Sequence, residues 1–129
     1  MLSNQVSPTE SQLEELQGYP QNKPLVMLNI LKFKAQAKTN ETGQEAYSRY
    51  FKNAAPFVEK SGAKLIWKGQ VHTTVIGDSR KQADIIFLVE YPTVNHFFAM
   101  VSNPEYQKIA GDRSIALEYG GLIACQNAQ

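Results

Sequence analysis

The sequence is poor in the residues that announce chemistry. It holds one cysteine, two histidines and one tryptophan in 129 residues. A lone thiol, Cys125, excludes an intrachain disulfide; without a Cys-x-x-Cys pattern or nearby base it reads as a small apolar residue near the end of a strand. His72 and His96 have no HxxxH or HxH spacing and no carboxylate at ligand distance in sequence, so no metal and no cofactor are expected. GxGxxG, P-loop and GxSxG patterns are all missing, which leaves dinucleotide, nucleoside triphosphate and serine-hydrolase chemistry without their signatures. An excess of one charge is missing too. Thirteen basic residues face twelve acidic ones, scattered apart from Arg80–Lys81, and this gives no electrostatic reason to expect nucleic acid or an anionic membrane as partner. No apolar run approaches about 18 residues, so no membrane span is expected. The opening MLSNQVSPTESQLEEL has neither a basic start nor an apolar core of signal-peptide kind, and a cytoplasmic location follows by elimination.

What the chain does have is apolar strand material. Leu25–Phe33 (LVMLNILKF) and Asp84–Tyr91 (DIIFLVEY) are nearly continuous apolar segments of strand length. A strand wetted on one side alternates, and these do not, so both of their faces call for cover. A chain of this length has little helix to spare for two faces. A second copy of the same chain is the expected cover.

The remaining elements follow from period and punctuation. Ser7-Pro8-Thr9-Glu10 carries helix-start cues, with Ser7 as cap and Pro8 at the first helical position, for a short helix bearing Leu13 and Leu16. Thr42-x-x-Glu45 is a second capping box. Tyr47, Tyr50, Phe51, Ala54, Phe57 and Val58 then recur at helical spacing, with Pro56 expected to kink or split the helix. Lys64–Ile76 alternates as a strand with a bulge or bend at Gly69. Gly77-Asp78-Ser79-Arg80 reads as a turn. Thr93 caps a short helix and Asn103-Pro104 starts another, running to about Leu117. Gly120-Gly121 precedes a last strand near Leu122–Gln126. A single domain is expected, with residues 1–23 as a helical extension and residues 24–126 forming an α+β, ferredoxin-like βαββαβ unit whose four-stranded antiparallel sheet carries its helices on one face.

Several segments resemble a known family. VMLNILKFK at 26–34, the Tyr47-x-x-Tyr50 pair, Gly69, ADIIFLVEYPT at 83–93 and FFAMVSNPEYQKIAGDRSIAL at 97–117 together resemble the uncharacterised DUF1330 proteins of the dimeric α/β-barrel superfamily, over about residues 24–126. The resemblance implies a subunit whose sheet packs on its twin's to close a barrel. It implies no settled activity; superfamily relatives include cofactor-free monooxygenases, isomerases, dehalogenating enzymes and haem-handling proteins.

Candidate site residues come from polar groups in apolar surroundings. Arg113 shares a helical stripe with Tyr106, Ile109, Ala110 and Leu117. A guanidinium there snorkels, pairs with a carboxylate such as Glu90, or holds an anionic ligand. Asn29 interrupts the first strand's apolar run, and a buried amide needs a partner, either backbone or a substrate oxygen. Tyr47, Tyr50 and Tyr106 are core aromatics by spacing, or phenols converging beside Arg113. The resemblance adds Trp67, since a pocket amide with Trp and Arg recurs in the superfamily's cofactor-free oxygenases. The leading expectation is a homodimer with a small-molecule pocket between sheet and helices. In it Asn29, Arg113 and Glu90 would act on a small carbonyl or phenolic compound, by oxygenation or isomerisation, while Tyr47, Tyr50, Trp67 and Tyr106 line the ligand. The alternatives are a non-catalytic dimeric binding or structural module, and haem handling through His72 or His96.

Overall fold

A computed structural model describes residues 5–78 and 82–128. The last two residues of the expected turn, Ser79-Arg80, and the Arg80–Lys81 pair lie outside them. Among the described residues, four helices and four strands follow in the order α1 (Glu10–Gln17), β1 (Leu25–Phe33), α2 (Gly43–Lys60), β2 (Lys64–Gln70), β3 (Ile85–Tyr91), α3 (Val94–Ser102), α4 (Pro104–Ala116) and β4 (Leu117–Cys125). The strands form one open antiparallel sheet in the order β2-β3-β1-β4. This is the ferredoxin-like plan with an added first helix. Among the described residues, no helix is long and apolar enough to cross a membrane.

The continuous apolar runs turn out to serve two faces. On β1, Leu25, Met27, Asn29 and Leu31 are buried beneath the helices, while Val26, Leu28 and Ile30 lie half-buried on the other face. Register carries the same division across the sheet: Met27 is opposite Val89 and Asn29 opposite Phe87, whereas Leu28 is opposite Leu88 and Ile30 opposite Ile86. The helix side holds the core, where Leu25, Leu31, Val94 and Leu117 are fully enclosed. The other side stays uncovered and apolar. Trp67 joins it from β2, its ring lying where a Gly69 side chain would stand, and Ile123 joins it from β4.

Several boundaries differ from the sequence expectations. α1 starts two residues later than the Ser7 cue, because Thr9 accepts from the Gln12 amide at 3.1 Å and the Gln12 side chain returns to Thr9, completing a box further along. α2 opens on the expected Thr42–Glu45 box. It is not split at Pro56. The missing N–H orphans the carbonyl one turn earlier, at Lys52, and both residues are exposed, so water can take the vacant acceptor. β2 ends at Gln70, well short of Ile76, and Val75 and Ile76 stand 88% and 94% exposed. β4 starts at Leu117, directly at the end of α4, five residues before the Leu122 expected. The helix passes into extended backbone there with no intervening turn, so no punctuation marks the change. The bulge in β2 falls between Leu65 and Trp67, with Ile66 as the extra residue.

One close approach ties the top of the molecule together. The Gly43 N–H donates to Lys34 O and the Lys34 N–H to Ala116 O. A Cβ on Gly43 would lie 2.2 Å from Lys34 O and 2.5 Å from Ala116 O, so this junction admits only glycine without backbone movement. Beside it, Arg49 bridges Glu41 and Asp112, linking the loop before α2 to α4.

Candidate functional site

Between the helix face of the sheet and α2, α3 and α4 lies a cavity of about 1130 Å³. Its floor is the odd-numbered set of β1 and β3 with the middle of β4, and its roof is helical. The side between α4 and the free edge of β4 is closed by the N-terminal segment. Gly120 N–H donates to Gln5 O at 3.0 Å, and Val6, Leu13, Leu16 and Tyr19 line the cavity from there onward.

The polar groups are few and concentrated. Arg113 donates through Nη1 to Val6 O at 2.6 Å and through Nη2 to Gly120 O at 3.2 Å. Neither partner carries charge, and among the described residues no carboxylate lies within ion-pair distance of it. The guanidinium is therefore fixed in orientation with its charge uncompensated and further N–H donors to offer. A Gly120 Cβ would come within 2.8 Å of Nη2, so the missing side chain is what lets the guanidinium settle over β4.

Three tyrosines converge nearby. The Tyr50 and Tyr106 hydroxyls share a hydrogen bond at 2.6 Å. The Tyr47 ring packs on Tyr50 at 5.3 Å between centroids, and its hydroxyl has no partner among the described residues although Tyr47 is only 5% exposed. Burial pushes the Tyr47 and Tyr50 hydroxyls well above the ordinary phenol value, against the smaller opposing pull of Arg113. Tyr91 is raised by the same cause. These phenols stay protonated; Tyr91 donates to Met100 Sδ, Tyr47 has its proton free to donate, and Tyr50 shares one proton with Tyr106. Asn29, 9% exposed, gives its amide N–H to Met27 O at 3.3 Å and leaves its oxygen without a partner among the described residues.

Five of the seven expected site residues thus line one cavity: Asn29, Tyr47, Tyr50, Tyr106 and Arg113. Glu90 and Trp67 do not. Both sit on strand positions that face away from the helices, Glu90 opposite Val26 and Trp67 opposite Leu88, so the Arg113–Glu90 pair is not formed. The carboxylates that do line the cavity are Glu15 and Glu59, on exposed helical positions. Neither histidine lines it. His72 is exposed, and His96 is exposed with Nδ1 2.7 Å from the Thr93 hydroxyl. Among the described residues no cluster of three metal-ligating side chains exists. Residues that sequence reasoning missed are Val6, whose carbonyl orients Arg113, and Gly120, which makes room for it. The Gly120-Gly121 doublet was a signal, but one that reads equally as a turn.

Comparison with known proteins places this arrangement among uncharacterised relatives. The chain is similar to RPA0582, a protein of unknown function from Rhodopseudomonas palustris, at 29% identity and a TM-score of 0.93, over 98% of this chain and 99% of that one. The methylated form of RPA0582 matches at 28% identity and a TM-score of 0.91, over 100% and 98% of the two chains. An uncharacterised NIPSNAP-like domain protein from Burkholderia xenovorans shares the fold alone, at 14% identity and a TM-score of 0.53, over 83% and 87%. No curated protein matches. The domain of unknown function DUF1330 matches residues 35–125, more than half of the sequence, and the chain belongs to that family.

Proposed function

We propose that the protein binds a small molecule in this cavity through an anionic or enolisable oxygen. The observation that carries the reading is Arg113: a guanidinium oriented by two main-chain carbonyls, without a carboxylate partner, in the wall of a cavity. The guanidinium is half-buried, held in one orientation, and offers free donors to a ligand anion entering the cavity. On the same cavity Tyr47 supplies an unpartnered hydroxyl that donates to a second ligand oxygen, while the free end of Asn29 is its amide oxygen, which accepts from a ligand hydroxyl. Arg113 and Tyr47 are donors of the kind that an enolate, phenolate or carboxylate needs. That fits a carbonyl or phenolic ligand, and fits isomerisation or oxygenation better than hydrolysis. Glu90, on the far face, is not part of this site, and the raised tyrosines are suited to polarise an oxygen rather than to remove a proton.

The same reading makes residues 24–126 the ferredoxin-like unit, residues 1–23 an extension that walls the cavity, and the uncovered sheet face the seat of a second copy in an α/β barrel. Calorimetric titration with benzoate and 4-hydroxybenzoate tests the site. Binding that weakens at least about tenfold in Arg113→Gln, the loss of roughly one charge-assisted hydrogen bond, with little change in melting temperature, supports it. A variant that binds as the parent does, or that loses stability without losing affinity, counts against it.

A further inference from the structure

The dimensions and lining of the cavity say more about its ligand than Arg113 alone does. Pockets that enclose a drug-sized molecule run to about 300–1,000 Å³, and this one, at about 1130 Å³, is larger than a two- or three-carbon acid can fill. Among the described residues, Arg113 is also its one basic lining residue. Arg113 lies over Gly120, at one end of the Gly120–Ala124 part of β4 that floors the cavity. Ala124 is opposite Met27 near the other end, with Leu13, Leu16, Met100 and Val101 also on the cavity. From Gly120 to Ala124 is four strand residues, about 13 Å at roughly 3.3 Å each, the span of an extended chain of about ten carbons. Other ionisable lining groups suit no second acid head: Glu15 and Glu59 are carboxylates that would repel one, Tyr19 gives its hydroxyl to Pro24 O, and Tyr91 gives its hydroxyl to Met100 Sδ at 3.9 Å.

We propose that the ligand is an amphipathic monocarboxylate with a body of about eight to twelve carbons, its head on Arg113 and its apolar body along β4 toward Ala124. The inference rests on the reading of Arg113 given above and adds the chain. The N-terminal segment is then part of the site. Val6 O orients the head-binding guanidinium while Leu13 and Leu16, on α1, cover the body, so one short stretch contacts both ends of the ligand.

The test is calorimetric titration of the full chain with sodium hexanoate, octanoate, decanoate and dodecanoate, with 1-decanol as the uncharged head and benzoate as a short acid. Affinity is expected to rise steeply with length, up to about fourfold per methylene, and to level off near decanoate. Decanol binds at least about tenfold more weakly than decanoate, and Arg113→Gln erases that difference. Ala124→Trp, at an exposed position of the edge strand that folding tolerates, fills the far end: it weakens decanoate and dodecanoate while leaving hexanoate unchanged. Length-independent affinity, or an Ala124→Trp effect equal for all chains, overturns the proposal. Benzoate binding as tightly as decanoate, and lost in Arg113→Gln, overturns the chain while leaving the anion site standing. No binding of any acid overturns both.

Discussion

Single residues in this protein are constrained by what lies against them, and glycines show the range. Gly43 sits with backbone oxygens of Lys34 and Ala116 where its Cβ would be. Those atoms belong to main chain that is itself hydrogen-bonded, so neither can give. Gly43→Ala is expected to lower stability by about 1–3 kcal/mol, the range of an overpacked site. Gly111 is the opposite case, an exposed helical position with nothing within 4 Å of a built Cβ. Gly111→Ala should gain about 0.5–1 kcal/mol, since only helix propensity is at stake. Urea unfolding of the two variants beside the parent checks both signs. The buried phenols give a third expectation at this scale. Tyr47, Tyr50 and Tyr91 are raised above the ordinary value of 10.0, chiefly by burial. Below pH 10 they are protonated folded or unfolded, so their burial contributes in full. Above it the unfolded phenols ionise and the buried ones resist, so stability falls as pH climbs from there. In an alkaline titration, the ultraviolet phenolate signal of Tyr50 and Tyr91, whose hydroxyls are bonded in the interior, should emerge only together with loss of the far-ultraviolet dichroism. Ionisation that precedes unfolding would show that their hydroxyls reach solvent.

At the scale of elements, the helices and the two apolar strands were legible because capping boxes and period are local. Thr42–Glu45, Thr93 and Asn103-Pro104 all cap where the sequence placed them. What local pattern does not encode is partnership across the sheet. Glu90 is one charge at the end of an apolar run, and only the register opposite Val26 shows that it faces away from Arg113. Trp67 is displaced from the site in the same way, by the bulge that sets it opposite Leu88. The part of the site drawn from one helix face, Tyr47 with Tyr50, needed only 3.6-residue spacing and was readable. The contact of Val6 with Arg113 spans 107 residues and leaves no trace in sequence spacing. Pro56 shows how an element tolerates a local rule being broken. The proline and the acceptor it orphans are both exposed, so the loss is confined to water-accessible backbone. Pro56→Ala should therefore restore an internal hydrogen bond and raise stability by about 1–3 kcal/mol, the helix-interior penalty of proline less the entropy it removes from the unfolded chain. Thermal unfolding followed by dichroism measures it, and a fall in melting temperature would mean that the packing of α2 on α4 depends on a bend at that residue.

For the whole molecule, the question is what meets the uncovered sheet face. Val26, Leu28 and Ile30 of β1, Ile86 and Leu88 of β3, and Trp67 and Ile123 at its flanks form one apolar surface. The four helices are all spent elsewhere, three roofing the cavity and α1 closing its side. Contiguous apolar area of this kind is what interaction surfaces commonly present, and a standard complex buries roughly 800 Å² per partner. An identical sheet is the simplest complement, since the same flat apolar rows meet themselves across a two-fold axis. Leu88 and its cross-strand neighbour Leu28 lie on the two central strands, so Leu88→Glu puts a carboxylate where it is desolvated in a dimer and hydrated in a monomer. Sedimentation of the parent at micromolar concentration should give twice the chain mass, and Leu88→Glu should give the chain mass with helix content retained. Glu118→Lys, at an exposed position of β4, serves as the control that changes charge without touching the face. A parent that sediments as one chain, or a Leu88→Glu variant that remains paired, would move the interface off this surface and leave its apolar rows in need of a different occupant.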